Sequence, residues 1–412
     1  MTPGRILITG ATGFIGSRLC ERLALHYQWP YRALVRHFTR AARIGRLNVD
    51  MVSGDLGDRR QLAAALEGCD SVVHLAHSDD RAAAAETRNL LAACRERGIT
   101  KFVHVSSMSV HGPAPTAACT REETATISRY DDSYCNSKAE AEEIVNSAVE
   151  RQGLRAVVLR PTVVYGPFSP FVMAVINEAQ TGVVTLIDDG QWVCNAVYVD
   201  DVCEAICRGL ESDRAVGYPS FITADEPLTW KQFITGFAGL VSPPPRFVSV
   251  SSAEIRTYWE SRKPKLADNV KAAGRLAVSP ELHQLLGTVP MVRAALTWAK
   301  RTGARHLSPE LLLKAKQRGG RRTAAAEPAW RMPNPGRLIR ETCGVAFSND
   351  RARQILGWQP AYDFARGVEM TRTWLEFNRS GPACLSGPQS GREPSLAGAA
   401  GSAAAQSRHD GG

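Results

Sequence analysis

Seven residues near the N terminus constrain this chain most. An apolar run rich in β-branched residues, Arg5 to Thr9, passes directly into Gly10-Ala11-Thr12-Gly13-Phe14-Ile15-Gly16, and an amphipathic helical pattern follows from Gly16 to Tyr27. A strand that turns within a few residues into a helix lying back on its own sheet needs glycine, both for the tight turn and for close helix–strand contact. The same turn aims the backbone N–H groups of the helix start at a pyrophosphate, which is the context of a dinucleotide-binding βαβ unit. Gly10, Thr12, Gly13, Phe14, Ile15 and Gly16 are therefore expected to cradle a cofactor.

The rest of the first half continues that unit. Strand-like runs at Arg32 to Arg36, Met51 to Ser53, Ser71 to Leu75, Phe102 to Ser106 and Ala156 to Leu159 alternate with helical patterns at Arg59 to Glu67, Arg81 to Arg97 and Tyr134 to Arg151. Such alternation predicts an α/β fold, a Rossmann-like doubly wound parallel sheet with a smaller mixed, partly helical substrate domain. The cofactor domain is expected over 1–166, with the strand-helix signal of 196–212 returning to it; 167–195 and 213–380 would form the second domain. After about Gly381 the composition falls to Ser, Gly, Ala and Pro without periodicity, so 381–412 reads as a disordered tail.

Composition narrows the class. With 44% hydrophobic and 22% charged residues, global disorder is excluded. No stretch approaches about 18 uninterrupted apolar residues, so no transmembrane segment is expected, and the N terminus enters its first strand too early for a secretion signal. The 10 Cys are scattered without a Cys-x-x-Cys pair, which fits reduced cytoplasmic thiols and no metal site. The net charge of +9 is concentrated in 251–345, where 18 Lys/Arg face 7 Asp/Glu. That region points to an anionic small-molecule substrate rather than nucleic acid, and leaves peripheral membrane contact and a homodimer open.

Individual residues suggest the chemistry. An acid ending the second strand would bind a ribose 2′-hydroxyl and repel a 2′-phosphate. This chain has Arg36 there, with His37 and Arg40 nearby, so NADP is expected in preference to NAD. Asp55-Leu56 is placed at the adenine edge, and Leu75, Ala76 and His77, after His74, beside the pyrophosphate and nicotinamide ribose. Tyr134 and Lys138 stand four apart on one helix face. A phenol titrating near ~10 is a poor base at neutral pH, and a nearby ammonium would draw it down. Tyr134 is thus expected to move a proton, Lys138 to lower its pKa and hold the ribose, and Ser107 to hold the substrate oxygen.

Taken in order, these motifs resemble the extended short-chain dehydrogenase/reductase superfamily, in particular its NAD(P)-dependent epimerase/dehydratase family. The resemblance runs through Thr9 to Gly16, Asp55-Leu56, His74-Leu75-Ala76, Val105-Ser106-Ser107, Tyr134-Cys135-Asn136-Ser137-Lys138, Arg160 to Pro167, Tyr198 to Val202 and Leu356 to Pro360. It implies catalytic positions at Ser107, Tyr134 and Lys138, and a nicotinamide-facing segment after Pro161 that includes Val163. Met108-Ser109 replaces the Asp-Glu pair of the family's 4,6-dehydratases, which disfavours dehydration. The Ala82 to Ala85 run offers no Asn to support the lysine. Arg160-Pro161 is closer to 3β-hydroxysteroid dehydrogenase-like members than to UDP-sugar 4-epimerases.

The leading expectation is redox chemistry or epimerisation at a secondary alcohol or ketone of a nucleotide- or phosphate-bearing sugar. A dehydrogenase or ketoreductase for an apolar ring or lipid-like alcohol is the alternative, and a non-catalytic dinucleotide sensor is the option of another class. The helical pattern Glu281 to Lys300 reads as core packing ahead of an amphipathic surface helix, and Trp259, Trp298 and Trp330 could line a sugar or ring pocket, although Trp is more often simply packed.

Overall fold

The computed structural model describes residues 4–125, 127–262 and 332–380. Its strands are β1 (Ile6–Thr9), β2 (Tyr31–Val35), β3 (Asp50–Ser53), β4 (Ser71–His74), β5 (Lys101–Val105), β6 (Arg155–Pro161) and β7 (Val163–Tyr165), then β8 (Val183–Ile187), β9 (Val193–Cys194), β10 (Ala196–Tyr198), β11 (Ser220–Ile222), β12 (Leu228–Thr229) and β13 (Arg246–Val250). The helices are α1 (Phe14–Arg22), α2 (Arg59–Ala65), α3 (Ala83–Glu96), α4 (Ser133–Gln152), α5 (Pro170–Gln180) and α6 (Val199–Glu211), then α7 (Trp230–Ala238), α8 (Ser252–Arg262), α9 (Pro335–Glu341) and α10 (Phe364–Ser380).

Seven parallel strands form the main sheet in the order β3-β2-β1-β4-β5-β6-β11. Strand order reverses between β1 and β4, which puts a crevice over their C-terminal ends, where such sheets bind ligands. Both faces are covered. Ile6, Ile8, Val103, Val105 and Leu159 pack towards α1 and α6, while Leu7, Val72, Phe102 and Val158 pack towards α2, α3 and α4. The alternation of neighbours between faces is the two-residue period of a strand buried on both sides.

The element ends follow local chemistry. Asp58 caps α2 by accepting from the Arg60 and Gln61 N–H groups, Asp132 caps α4 through the Cys135 N–H, and Thr229 and Gln232 form a capping box on α7. In contrast, α1 begins at Gly13 with no side chain hydrogen-bonded to its first turn. That helix is fastened from outside the turn: buried Glu21 accepts from Arg43, Arg46 and Arg18, and Arg18 also reaches Asp200 on α6 at 2.5 Å.

The 196–198 strand pairs in parallel with β7 in a separate two-stranded sheet, and α6, which follows it, packs against α1, β5 and β6. One placement differs from the sequence reading. Ser220–Ile222, read as part of the second region, is instead the edge strand beside β6. Three residues are too few for a periodicity to register, so only the partner reveals such a strand. Trp259 packs in a small core: its indole N–H donates to the Pro333 carbonyl at 2.7 Å, and its ring packs beside Ile187, Ile255 and Leu338. Trp298, Trp330, the 281–300 pattern and the 381–412 tail lie outside the described residues. No described helix is long and apolar enough to cross a membrane, and all nine described cysteines are free thiols.

Candidate active site

Two adjoining clefts open at the β1/β4 crevice and share Gly10, Gly13, Leu75 and His77 in their walls. The wider, about 530 Å³, also meets Phe14, Ile15, Gly16, Ser107, Tyr134, Lys138, Pro161 and Val163. The narrower, about 290 Å³, meets Thr12, Arg36, Asp55, Leu56 and Ala76, together with His37 and Arg40. Every residue singled out from the sequence for cofactor or catalysis thus borders one cleft or the other.

The glycine turn has the shape a dinucleotide needs. Gly10 has φ +72°, and a Cβ there would come within 2.7 Å of the Ala76 nitrogen. A Cβ on Gly16 would lie 2.1 Å from the Gly10 carbonyl oxygen. Only hydrogens fit at these two positions, so the backbone of the turn packs directly on β4 and on the first turn of α1. With no side chain capping it, that first turn keeps N–H donors for phosphate oxygens. At the far end Arg36 Nη1 lies 4.0 Å from Asp55 Oδ2, and both side chains are exposed enough to meet a ligand.

Around the reacting position, α4 presents Tyr134 in its first turn and Lys138 one turn on. Burial pushes the Tyr134 phenol above its ordinary value, and a hydrogen bond with Ser107 draws it partly back. The expected lowering by Lys138 is therefore not what the structure has: desolvation outweighs the favourable contacts. Lys138 is itself buried, donates to the Val105 carbonyl at 3.3 Å, and is pushed down to about 8 by burial, against the attraction of Glu142. Ser107 Oγ accepts from the Ser109 N–H at 3.1 Å and donates to Ser109 Oγ at 3.1 Å. The Met108-Ser109 replacement thus has a structural use, since Ser109 orients the Ser107 hydroxyl.

Behind these three stand His74 and His77, expected from the sequence near the pyrophosphate and nicotinamide ribose, and further groups that sequence reasoning missed. His77 meets the Tyr134 ring edge-on at 5.2 Å, and its Nε2 lies 2.9 Å from Asp80 Oδ1, while Asp80 Oδ2 accepts from Ser133 at 2.6 Å. Beneath Lys138, His74 contacts Thr9 at 2.8 Å and Thr87 at 3.3 Å and stacks on His104. Burial pushes His74 down to about 3 and His104 well below its usual range, so both are neutral beside the lysine. One turn beyond Lys138, fully buried Glu142 pairs with Arg160, which also meets His111 Nε2 at 3.2 Å. An arginine in the otherwise apolar run 156–161, and an acid four residues after the lysine, are the signals that could have disclosed this pair.

The sequence pattern of the NAD dependent epimerase/dehydratase family matches residues 6–221, more than half of the chain. The chain belongs to this family. Among its relatives is a 2-alkyl-3-oxoalkanoate reductase of Shewanella oneidensis, 30% identical over 261 residues, covering 58% of this chain and 66% of that protein. A 3beta-hydroxysteroid-dehydrogenase/decarboxylase of Arabidopsis thaliana is 27% identical over 266 residues, 56% of this chain and 46% of its own. The UDP-glucose 4-epimerase structure from Thermotoga maritima superposes with a TM-score of 0.62 at 17% identity, covering 91% of this chain and 99% of that one, and shares the fold. Membership makes this an NAD-dependent enzyme of the extended short-chain dehydrogenase/reductase type, and the glycine turn and the two clefts fit its cofactor.

Proposed function

We propose that the chain is an NADP-preferring oxidoreductase that interconverts a ketone and a secondary alcohol in a largely apolar molecule. The observation that carries this reading is the wall of the wider cleft beyond Ser107 and Tyr134, built from Met108, Pro113, Pro115, Phe171, Ile339 and Phe347. Apolar walls with a few convergent polar groups suit a hydrocarbon-rich ligand, whereas a sugar ring needs a hydrogen-bond partner for each hydroxyl. The alkyl-substituted keto acid in the name of the Shewanella relative, a 2-alkyl-3-oxoalkanoate reductase, agrees with such walls in its alkyl part. The basic region that favoured a phosphate-bearing sugar lies mostly outside the described residues.

When bound, the nicotinamide supplies or accepts the hydride at the reacting carbon. Tyr134 acts on the oxygen. A phenol held above its ordinary value stays protonated at neutral pH, the form that gives a proton to a ketone oxygen during reduction. The Ser107 hydroxyl, turning its single proton from Ser109 Oγ to that oxygen while still accepting from the Ser109 N–H, donates a second hydrogen bond there and stabilises the charge that develops. Lys138, protonated below about pH 8, lends positive charge to the phenol as it loses its proton and hydrogen-bonds the ribose. Arg36, with His37 and Arg40, borders the narrower cleft and would receive a 2′-phosphate there, which favours NADP.

The test is NADPH oxidation by the purified full-length chain with linear and ring ketones, set beside 4-epimerisation of UDP-glucose. Reduction of apolar ketones without epimerisation is expected. Epimerisation of the UDP-sugar at a rate matching or exceeding ketone reduction would overturn the reading.

A further inference from the structure

We propose that Arg340 is a specificity-determining residue that receives a carboxylate carried by the substrate, at the end of the wider cleft built by α9. The inference rests on the apolar-ketone reading above and adds the chemistry of the substrate's other end: a keto or hydroxy acid with an apolar body.

Arg340 and Ile339 both border the cleft, and the Arg340 side chain is one third exposed, at 33%. Its guanidinium lies 5.2 Å from the centre of the Phe171 ring and 5.6 Å from that of Trp230, so two aromatic faces fix its position. Among the described residues its one hydrogen bond runs from Nη2 to Glu341 Oε1 at 3.3 Å, and its Nε is buried with no partner. The same Glu341 oxygen is held more closely by Arg337 Nε at 2.7 Å. Arg337 also reaches Glu178 at 2.7 Å and the Thr185 carbonyl at 2.5 Å, so each of its three nitrogens donates to a protein oxygen. Of the five N–H donors of a guanidinium, four of Arg340's have no acceptor among the described residues, and one of them, at Nε, is buried, where an unmet donor is costly.

A carboxylate answers that arrangement, because its two oxygens match two parallel guanidinium N–H bonds. Charge decides between carboxylate and phosphate. Arg337, Arg340, Glu178 and Glu341 already balance to zero, so a dianionic phosphate would bring two uncompensated charges beside Glu341, and a carboxylate only one. Among the described residues the other Lys or Arg bordering the cleft, Lys138, is buried and donates to the Val105 carbonyl.

The experiment uses the full-length chain saturated with NADP⁺ and three probes that share one tail: octanoate, methyl octanoate and octyl phosphate, each titrated calorimetrically. Octanoate should bind at least about 10-fold more tightly than its ester or octyl phosphate, as a bidentate charged pair would give. Arg340→Met should bring the acid-to-ester ratio close to one, and Arg340→Lys, which keeps the charge but not the fork, should leave it between the two. An acid preference that survives in Arg340→Met, or octyl phosphate binding as tightly as octanoate, would overturn the proposal. If Arg340→Met does not fold, a ratio in Arg340→Lys equal to that of the unaltered protein would overturn it equally. Turnover separates the two readings: Arg340-dependent octanoate binding in a protein that reduces no ketone supports this site and removes the ketone chemistry.

Discussion

Replacing Gly16 by alanine puts the cofactor cradle to its hardest test. The added Cβ would stand 2.1 Å from the Gly10 carbonyl oxygen, 2.8 Å from its carbonyl carbon and 2.9 Å from the Ala11 Cα. Comfortable contacts between such atoms lie near 3.5 Å, so the start of α1 must retreat by about 1.4 Å from the turn. All three obstructing atoms are main chain, and no side chain can rotate aside. Overpacking of this kind costs about 1–3 kcal/mol of stability. The same retreat misaims the N–H groups of the first turn, and loss of one charge-assisted hydrogen bond, about 1.5–3 kcal/mol, weakens cofactor binding by about 10- to 150-fold. Gly13→Ala is the internal comparison, because its Cβ would lie 3.2 Å from the Gly10 oxygen and needs a shift of only tenths of an ångström. NADPH titration followed by nucleotide fluorescence, with thermal melts of both variants, reads the two effects separately. A Gly16→Ala protein that melts with the unaltered one and binds NADPH within twofold would refute the argument from close packing.

Tyr134→Phe should lose about 10²- to 10⁴-fold in ketone turnover while cofactor affinity holds, since the phenol oxygen acts on the substrate; steady-state kinetics with a nucleotide titration checks both halves. Turnover should fall as pH rises through about 8, where the buried Lys138 loses its charge, and Lys138→Met should be slow throughout and lack that inflection in its pH–rate profile. Arg36→Asp should reverse the NADPH-over-NADH order in competitive titration; an unchanged order would remove Arg36 from the 2′ position. Burial alone would raise the Glu21 carboxyl, yet Arg43 and Arg18 hold it down to about 2 from an ordinary 4.5. A depressed acid adds stability above its unfolded pKa and loses it as pH falls, so about 3 kcal/mol should disappear between pH 4.5 and 2. Denaturant titrations of Glu21→Gln should show it weaker by that order at pH 7 and converging with the unaltered protein towards pH 2.

Much of the site was legible because its chemistry depends on local spacing. Gly10 to Gly16 reads from neighbours alone, since the turn, the helix start and the close contacts involve residues only a few apart. Tyr134 and Lys138 read from the rise of a single helix. Arg36 reads from its place at the end of a strand. What spacing misjudged was the electrostatics: a lysine one turn from a phenol implies an acidic phenol, but desolvation, which depends on everything packed around α4, raised it instead.

The sequence by itself determined the α/β alternation, the doubly wound sheet and the residues that border its crevice, because periodicity and turn chemistry are properties of short segments. Tertiary structure alone decided what stands behind and opposite them. Glu142 and Arg160 are 18 residues apart and meet inside the core. Phe171 and Arg340 come from α5 and α9, helices far apart in the chain, and face each other across one wall of the cleft. Nor did the sequence mark Arg340 as a cation with unmet donors, because an unmet donor is defined by where its neighbours' carboxylates go, and only folding settles that.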